Sequence, residues 1–255
     1  MRSLIGALRL LTFLLTAGIT IIVQTVALSL TKGRAAYLYP RAYHGFLCRL
    51  FGIKIIVEGK PATGPDAVYI GNHLSYLDIP VLGSLLLGSF VAKKEVESWP
   101  FFGLMAKMQR TVFISRNPAD AESETRLLHE RLAEAAPLII FPEGTSSDGT
   151  SVLPFKSSFF QIFLNQRTEL QPFTISILEI DGKPATAPAL RDKYAWYGDM
   201  ELEPHLWAFA KGKGAVVKVS FETPLLSTDY TDRKRLCADS RALVVKGLDL
   251  SPPAS

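Results

Sequence analysis

Apolar residues run almost unbroken from Leu10 to Leu30, LLTFLLTAGITIIVQTVALSL, before the chain changes character. No formal charge falls in this run, and Gln24 is its one strongly polar interruption. Roughly twenty such residues are enough to cross the hydrocarbon core of a bilayer as a single helix. Arg2 and Arg9 precede the run, and Lys32, Arg34 and Arg41 follow it. A secretory signal core is shorter, ~7–15 residues, and positive charge directly behind an apolar run resists translocation. The pattern therefore predicts an uncleaved membrane anchor, with the following chain on the cytoplasmic side of a bacterial-type inner membrane. The next stretch, Ala35 to Phe51, mixes aromatic and aliphatic residues with Arg41, His44 and Arg49. It suits either of two roles: Tyr37, Tyr39 and Tyr43 at the headgroup level of a bilayer, or an amphipathic helix packed on protein.

After Gly52 short apolar runs alternate with amphipathic stretches. Strands are expected at 53–59, 67–72, 89–94, 111–115, 138–142, 173–180 and 215–222, from short length and Val, Ile and Phe content. The clearest helix runs from Asn117 to about Ala136, with Asn117 as N-cap, Pro118 at the first helical position and acids in the first turn. Further helices are expected at 81–87, 99–108, 157–165, 203–211 and 231–246. Such alternation predicts an α/β fold: a largely parallel sheet covered by helices, preceded by the N-terminal membrane-anchoring helical segment. The organisation read from this is an anchor over 1–51, a catalytic domain over 52–250 and a loose tail over 251–255.

Composition supports that picture. Of 255 residues 48% are hydrophobic and 20% charged, too apolar for a disordered chain and below the usual quarter of charged residues in soluble domains. The net charge of +4 is not gathered into a basic run with interleaved aromatics. Anionic membrane lipid is therefore the expected partner, and nucleic acid is not. Cys48 and Cys237 are far apart and in no C-x-x-C pattern, which suggests neither a disulfide framework nor zinc, and points to a reducing compartment.

Three stretches carry candidate chemistry. IGNHLSYLDIP, Ile70 to Pro80, begins at the end of a predicted strand and leads into a helix, where open α/β sheets place their ligand sites. On one continuous helix His73 and Asp78 would point about 140° apart, so they meet only if the residues between them form a turn. Pro80 favours a helical first turn just after it. A neutral imidazole oriented by a carboxylate is a general base suited to neutral pH. LIIFPEGTSSDG, Leu138 to Gly149, is an apolar strand ending in a turn whose backbone amides can cradle an anion. RTVFISR places Arg116 at the end of a strand with Arg110 just before it, and Lys156 follows the Glu143 loop. Arg suits bidentate contact with phosphate.

Taken together, these stretches resemble the 1-acylglycerol-3-phosphate O-acyltransferase family. The first block, N-H-x-S-x-x-D, is met by Asn72, His73, Ser75 and Asp78; the second, F-I-x-R, by Phe113, Ile114 and Arg116; the third, F-P-E-G-T, by Phe141 through Thr145. A fourth, a short apolar strand opened by Pro, is met loosely by Pro172 and residues 173–177. The resemblance implies acyl transfer without a covalent acyl-enzyme: His73 takes the proton of the acceptor hydroxyl and Asp78 orients His73. Arg116, the Glu143-Gly144-Thr145 loop and Lys156 would hold the acceptor's polar head. It implies no cofactor or metal, an acyl-CoA or acyl carrier protein thioester as co-substrate, and a lysolipid acceptor, foremost 1-acyl-sn-glycerol-3-phosphate. Many relatives continue the third block with Arg, where this chain has Ser146. That departure keeps lyso-ornithine lipid open as an acceptor.

Two other enzyme classes find no support. There is no G-x-S-x-G nucleophile elbow. The four histidines (44, 73, 129, 205) are scattered and form no H-E-x-x-H; His44, His129 and His205 read as structural or exposed. From a different class, a catalytically silent lipid-binding protein on the same fold would be marked by loss of His73 or Asp78. Both are present.

Overall fold

A computed structural model describes residues 1–64, 66–115, 120–164 and 167–249. The polypeptide opens with one long helix, α1 (Arg2–Leu30), and after a short 3-10 turn a second, α2 (Leu38–Phe51). The strands are β1 (Ile53–Glu58), β2 (Val68–Gly71), β3 (Ser89–Lys93), β4 (Val112–Ile114), β5 (Leu138–Ile140), β6 (Glu169–Ile180), β7 (Lys183–Pro184), β8 (Ala215–Phe221) and β9 (Leu225–Leu226). Between them lie α3 (Asp78–Leu85), α4 (Phe102–Met108), α5 (Ala121–Ala133), α6 (Pro188–Arg191) and α7 (Leu202–Ala210), and α8 (Arg233–Gly247) follows. All seven expected strands form. The expected caps of α5, Asn117 and Pro118, lie outside the described residues, as does the end of the 157–165 helix. The described part of that helix is 3-10 over Ser157–Phe163.

The strands join in the order β1-β8-β6-β2-β5-β3-β4. Among the described residues every pairing is parallel except those that β6 makes with β7, β8 and β9. Alternation along the strands divides the core between the two faces of the sheet. Tyr69, Ile139, Phe173 and Ile175 pack on the face that also receives Leu47 and Phe51 of α2 and Val81 and Leu82 of α3. Val68, Ile70, Leu138, Ile140 and Leu170 pack on the other, against Leu128 of α5 and Leu236 and Val244 of α8. On that second face β6 presents Thr174 and Ser176, whose hydroxyls are met by the backbone of Val244 and Asp249.

The long helix is amphipathic in an inverted sense. Leu4, Leu8, Leu11, Leu15, Ile19, Ile22 and Val26 recur at helical spacing and are all exposed. Gly6, Ala17, Thr20 and Gln24 on the opposite side are buried. Arg9 donates to the carbonyls of Ala210 and Gly212 (3.1 and 2.7 Å), and Gln24 donates to those of Ala36 and Met108 (2.9 and 3.2 Å). Phe13, between them, packs edge-on against Phe51 and Phe101. From Arg9 to Gln24 the stretch held in this way is about 22 Å long at ~1.5 Å per residue, shorter than the ~30 Å apolar thickness of a bilayer. The three tyrosines after it turn to protein rather than to a headgroup layer. Tyr37 bonds Ser89, Tyr39 meets Thr20 and Tyr43 meets Thr16, so the packed-helix role is the one realised.

Candidate active site

Two neighbouring parallel strands, β2 and β5, deliver the first and third sequence blocks side by side at their carboxyl ends. Asn72 continues β2 with its side chain: its Oδ1 accepts the Ile175 amide at 2.8 Å and its Nδ2 donates to the Ile175 carbonyl at 2.9 Å. A side-chain amide bonded like one more ladder residue fixes where the chain leaves the sheet. The chain then turns, and α3 begins at Asp78 with Pro80 in its first turn. The turn anticipated between His73 and Asp78 is present, and it brings the two side chains together.

Asp78 Oδ2 lies 2.8 Å from His73 Nδ1 and also accepts the backbone amides of Leu74 (2.7 Å) and Ser75 (3.0 Å). Its Oδ1 accepts the hydroxyl of Tyr194 at 3.1 Å. The Asp78 side chain is fully buried, whereas that of His73 keeps 23% of its surface exposed. A carboxylate can only accept, so Nδ1 carries the proton and Nε2 presents a lone pair. Phe141 stacks on the imidazole at 4.2 Å between centroids and 17° between planes, closing one face of the ring.

The structure corrects the expected part of Glu143. Its carboxylate is buried, with one oxygen accepting the His73 amide at 3.0 Å and the other the Leu153 amide at 2.8 Å. It therefore braces the His73 loop and is not directed at the acceptor's head. Burial pushes its pKa up to about 7, partly offset by the two amides and by His73. Ser147 completes the brace by donating its amide to the His73 carbonyl at 2.9 Å.

Gly144 and exposed Thr145 form the open rim of the turn. Gly144 takes a positive φ of 67°, and a Cβ there would lie 2.5 Å from Lys156 Nζ, so the turn demands glycine and seats the exposed lysine against it. The structure thus brings His73, Asp78, Glu143, Gly144, Thr145 and Lys156 into one region; Arg116 lies outside the described residues. Ser146, at the position where Arg was expected from the resemblance, turns inward and donates to the Trp196 carbonyl. His205 proves structural. Its Nδ1 meets the Tyr76 hydroxyl at 2.9 Å and its Nε2 the carbonyls of Asp192 and Ala195 at 3.1 and 3.0 Å.

Sequence reasoning missed Tyr194, Trp196 and the stacking of Phe141. Phe141 stood inside a recognised block, so its place beside His73 was open to inference. Tyr194 and Trp196 are more than a hundred residues from His73 in a run, KYAWYGD, that carries no pattern.

Comparison with known proteins finds relatives in sequence and in fold. The acyltransferase family profile, described as "Acyltransferase", matches residues 54–176. A lyso-ornithine lipid O-acyltransferase of Brucella abortus (strain 2308) is 35% identical over 235 residues, covering 85% of this chain and 88% of the relative. A 1-acyl-sn-glycerol-3-phosphate acyltransferase of Neisseria gonorrhoeae is 32% identical over 181 residues, covering 70% and 68%. Among solved structures, the 1-acyl-sn-glycerophosphate (LPA) acyltransferase PlsC of Thermotoga maritima superposes with a TM-score of 0.69. It is 20% identical, and the match covers 97% of this chain and 96% of that one, a likeness of fold.

Proposed function

This chain belongs to the acyltransferase family, and on that premise we propose that it moves a fatty acyl group from an acyl thioester to the hydroxyl of a lysolipid. The observation that carries the reading is His73, whose Nδ1 is committed to a buried carboxylate and whose Nε2 is left to act. The acceptor's O–H proton passes to Nε2 as its oxygen bonds to the thioester carbonyl carbon. The C–S bond then breaks, and the thiolate of coenzyme A or acyl carrier protein leaves with the proton from Nε2. Asp78 stabilises the imidazolium between the two steps.

The acceptor we favour is lyso-ornithine lipid, whose amino-acid head carries an ammonium and a carboxylate in place of a phosphate monoester. Two observations support it. Ser146 withdraws from the rim to the Trp196 carbonyl, where an Arg fork would have met a phosphate. Relatives named for lyso-ornithine lipid also align over 85% and 86% of this chain, against 70% for those of Neisseria. The second reading, 1-acyl-sn-glycerol-3-phosphate, is favoured by Lys156 at the Gly144 turn, a cation suited to phosphate.

The length of α1 and its exposed apolar stripe support a reaction at a membrane. Because that helix is docked along one side, we assign it to a single leaflet, its exposed leucine and isoleucine stripe facing lipid. Lys32, Arg34 and Arg41 behind it and two free, buried cysteines favour the cytoplasmic face of the inner membrane. The test offers the purified chain in detergent a labelled acyl thioester and each lysolipid in turn, with His73→Ala as control. Transfer that vanishes in the variant supports the reading, and the preferred lipid decides the acceptor. Transfer that survives His73→Ala, or no transfer by the wild type, overturns it.

A further inference from the structure

We infer that Tyr194 is a positioning residue for the transfer reaction, acting through Asp78 to hold His73 in its working tautomer and orientation. The inference rests on the acyl-transfer reading for its kinetic consequence but not for its geometry. Residues 194–196 lie beyond the stretch matched by the family profile, yet they bind both catalytic loops. The Tyr194 hydroxyl donates to Asp78 Oδ1, the Trp196 amide donates to the Leu74 carbonyl at 2.8 Å, and the Trp196 carbonyl accepts Ser146 Oγ. From the other side, Tyr76 in the His73 loop reaches the Ala195 carbonyl through His205.

The division of labour at Asp78 gives Tyr194 its weight. Oδ2 already takes three donors: His73 Nδ1 and the amides of Leu74 and Ser75. Oδ1 faces Tyr194, and both side chains are wholly buried. A buried carboxylate oxygen stripped of its donor has no water to replace it. Without the hydroxyl, Asp78 is held less firmly as an anion and is free to swivel about its Cβ–Cγ bond. Tyr194 is itself locked. Its ring meets Phe209 edge-on at 6.1 Å and its amide donates to the Arg191 carbonyl at 2.8 Å. Burial and the adjacent carboxylate keep its hydroxyl protonated, so it can only donate to Asp78.

The consequence has a definite sign. Removing the hydroxyl leaves the Asp78 charge less compensated, which strengthens its pull on the protonated imidazole and also makes Asp78 easier to protonate. Either effect moves the acid limb of the pH–rate profile to higher pH. The other titratable groups about the pair are Glu143, Tyr76 and Cys48. Burial raises the Tyr76 hydroxyl and pushes the Cys48 thiol to about 12, so both stay protonated. Burial pushes Glu143 up to about 7, so a pH–rate profile carries its titration as well, and His73 is read directly.

The experiment compares Tyr194→Phe with wild type in the full chain in detergent. Expected are a roughly tenfold or greater fall in kcat, KM values for both substrates within about threefold, and an acid limb moved upward. The His73 imidazole, followed by nitrogen-15 NMR, titrates at higher pH in the variant. In an Asp78→Asn background the same change no longer moves the His73 titration, because no carboxylate charge remains for Tyr194 to compensate. An unchanged kcat with an unmoved His73 titration overturns the inference. Should the wild type transfer to neither lipid, the proposed function fails, while the NMR titration still decides the role of Tyr194. If Tyr194→Phe folds poorly, replacing Tyr194 with 3,5-difluorotyrosine keeps the volume and makes a stronger donor, and the titration then moves to lower pH; no movement again overturns the inference.

Discussion

The carboxylate of Glu143 accepts the backbone amide of His73 at 3.0 Å, so the third sequence block holds the first through the main chain rather than through the imidazole. The second oxygen of Glu143 anchors Leu153 at 2.8 Å in the same way. Two amides aimed at one carboxylate cannot both be satisfied by a neutral carboxamide, whose nitrogen only donates. Glu143→Gln is therefore expected to leave one buried amide facing a donor, at a cost of about 1–3 kcal/mol, and to lower kcat while hardly moving either KM. Steady-state kinetics with thermal melting in detergent check it; an unchanged Tm and kcat would remove the bracing role.

Glu143 also gives a pH signature of stability. In the unfolded chain its carboxyl titrates near its ordinary 4.5, and in the folded protein burial pushes it up to about 7. Between those values the native state keeps a proton that the unfolded chain has released. The contribution of Glu143 to stability is thus full below about pH 4.5, is lost as pH rises toward 7, and is flat above. The Tm difference between wild type and Glu143→Gln should shift against the wild type across that window and become constant beyond it. Melting curves at pH 4.5 to 8 decide it, and a difference independent of pH would refute the assignment.

Asp78→Asn separates orientation from charge. An asparagine oxygen can occupy the Oδ2 position with its three donors, while its nitrogen donates to the Tyr194 oxygen. The fold is expected to survive with Tm within a few degrees. Acyl transfer is expected to fall by about 10²–10⁴, the usual range for a lost general base, since no charge remains to stabilise the imidazolium. Single-turnover transfer beside a melting curve tests this, and a variant that unfolds would show that Asp78 is chiefly structural.

Much of this architecture was legible because it depends on periodicity and local spacing. The seven strands followed from short Val, Ile and Phe runs, and the turn from His73 to Asp78 followed from Pro80 and the angle a helix would impose. The inverted face of α1 was not legible. Leu11, Leu15 and Ile22 look alike whether they meet lipid or protein, and only the docking of Gly6, Arg9 and Gln24 fixes which side faces out. Glu143 misled for the opposite reason. A glutamate beside a glycine turn reads as exposed, and its burial depends on the amides of His73 and Leu153, which only the strand order brings near. Tyr194 reaches Asp78 across 116 residues, a pairing that no local pattern encodes.

The membrane role of α1 can be tested apart from catalysis. Changing Leu11, Leu15 and Ile22 together to Lys removes three exposed apolar side chains, each worth about 1.5–3 kcal/mol on full burial. Flotation with liposomes is expected to show binding weakened by at least a hundredfold, with transfer to a short-chain, water-soluble lysolipid retained. Topology follows from labelling with an impermeant maleimide. Ser3→Cys and Lys32→Cys should react from the same side of a sealed vesicle if α1 lies in one leaflet. Labelling from opposite sides would establish a span.

Packing beneath the active site makes Gly83 sensitive. A Cβ at Gly83 would fall 1.7 Å from His44 Nδ1, and burial lowers the His44 pKa to about 4, so the ring packs there uncharged. Gly83→Ala must push α3 from α2, and α3 begins with Asp78. Overpacking of this kind costs about 1–3 kcal/mol or more, a fall in Tm of about 2–10 °C at this chain length. Activity is expected to fall as well, through displacement of Asp78. Differential scanning fluorimetry with a transfer assay checks both, and an unaltered Tm would show that the two helices have room to part.

Ser146 offers the sharpest test of acceptor choice. It is bonded to the Trp196 carbonyl and leaves Lys156 as the cation seated at the Gly144 turn. Ser146→Arg breaks that inward bond and, with a long side chain at the rim, supplies a guanidinium able to grip a phosphate monoester by two parallel bonds. A charge-assisted pair contributes about 1.5–3 kcal/mol, which corresponds to roughly ten- to a hundredfold in kcat/KM. The ratio of kcat/KM for lysophosphatidate over lyso-ornithine lipid is expected to rise by that factor, even if total activity drops through the loosened Trp196 segment. Competition assays with both lipids in one mixture measure the ratio directly, free of differences in active fraction. A ratio that stays level or falls would mean that the head is read elsewhere. Attention would then move to Lys156, where Lys156→Ala should weaken transfer to the phosphate acceptor more than to the amino-acid one.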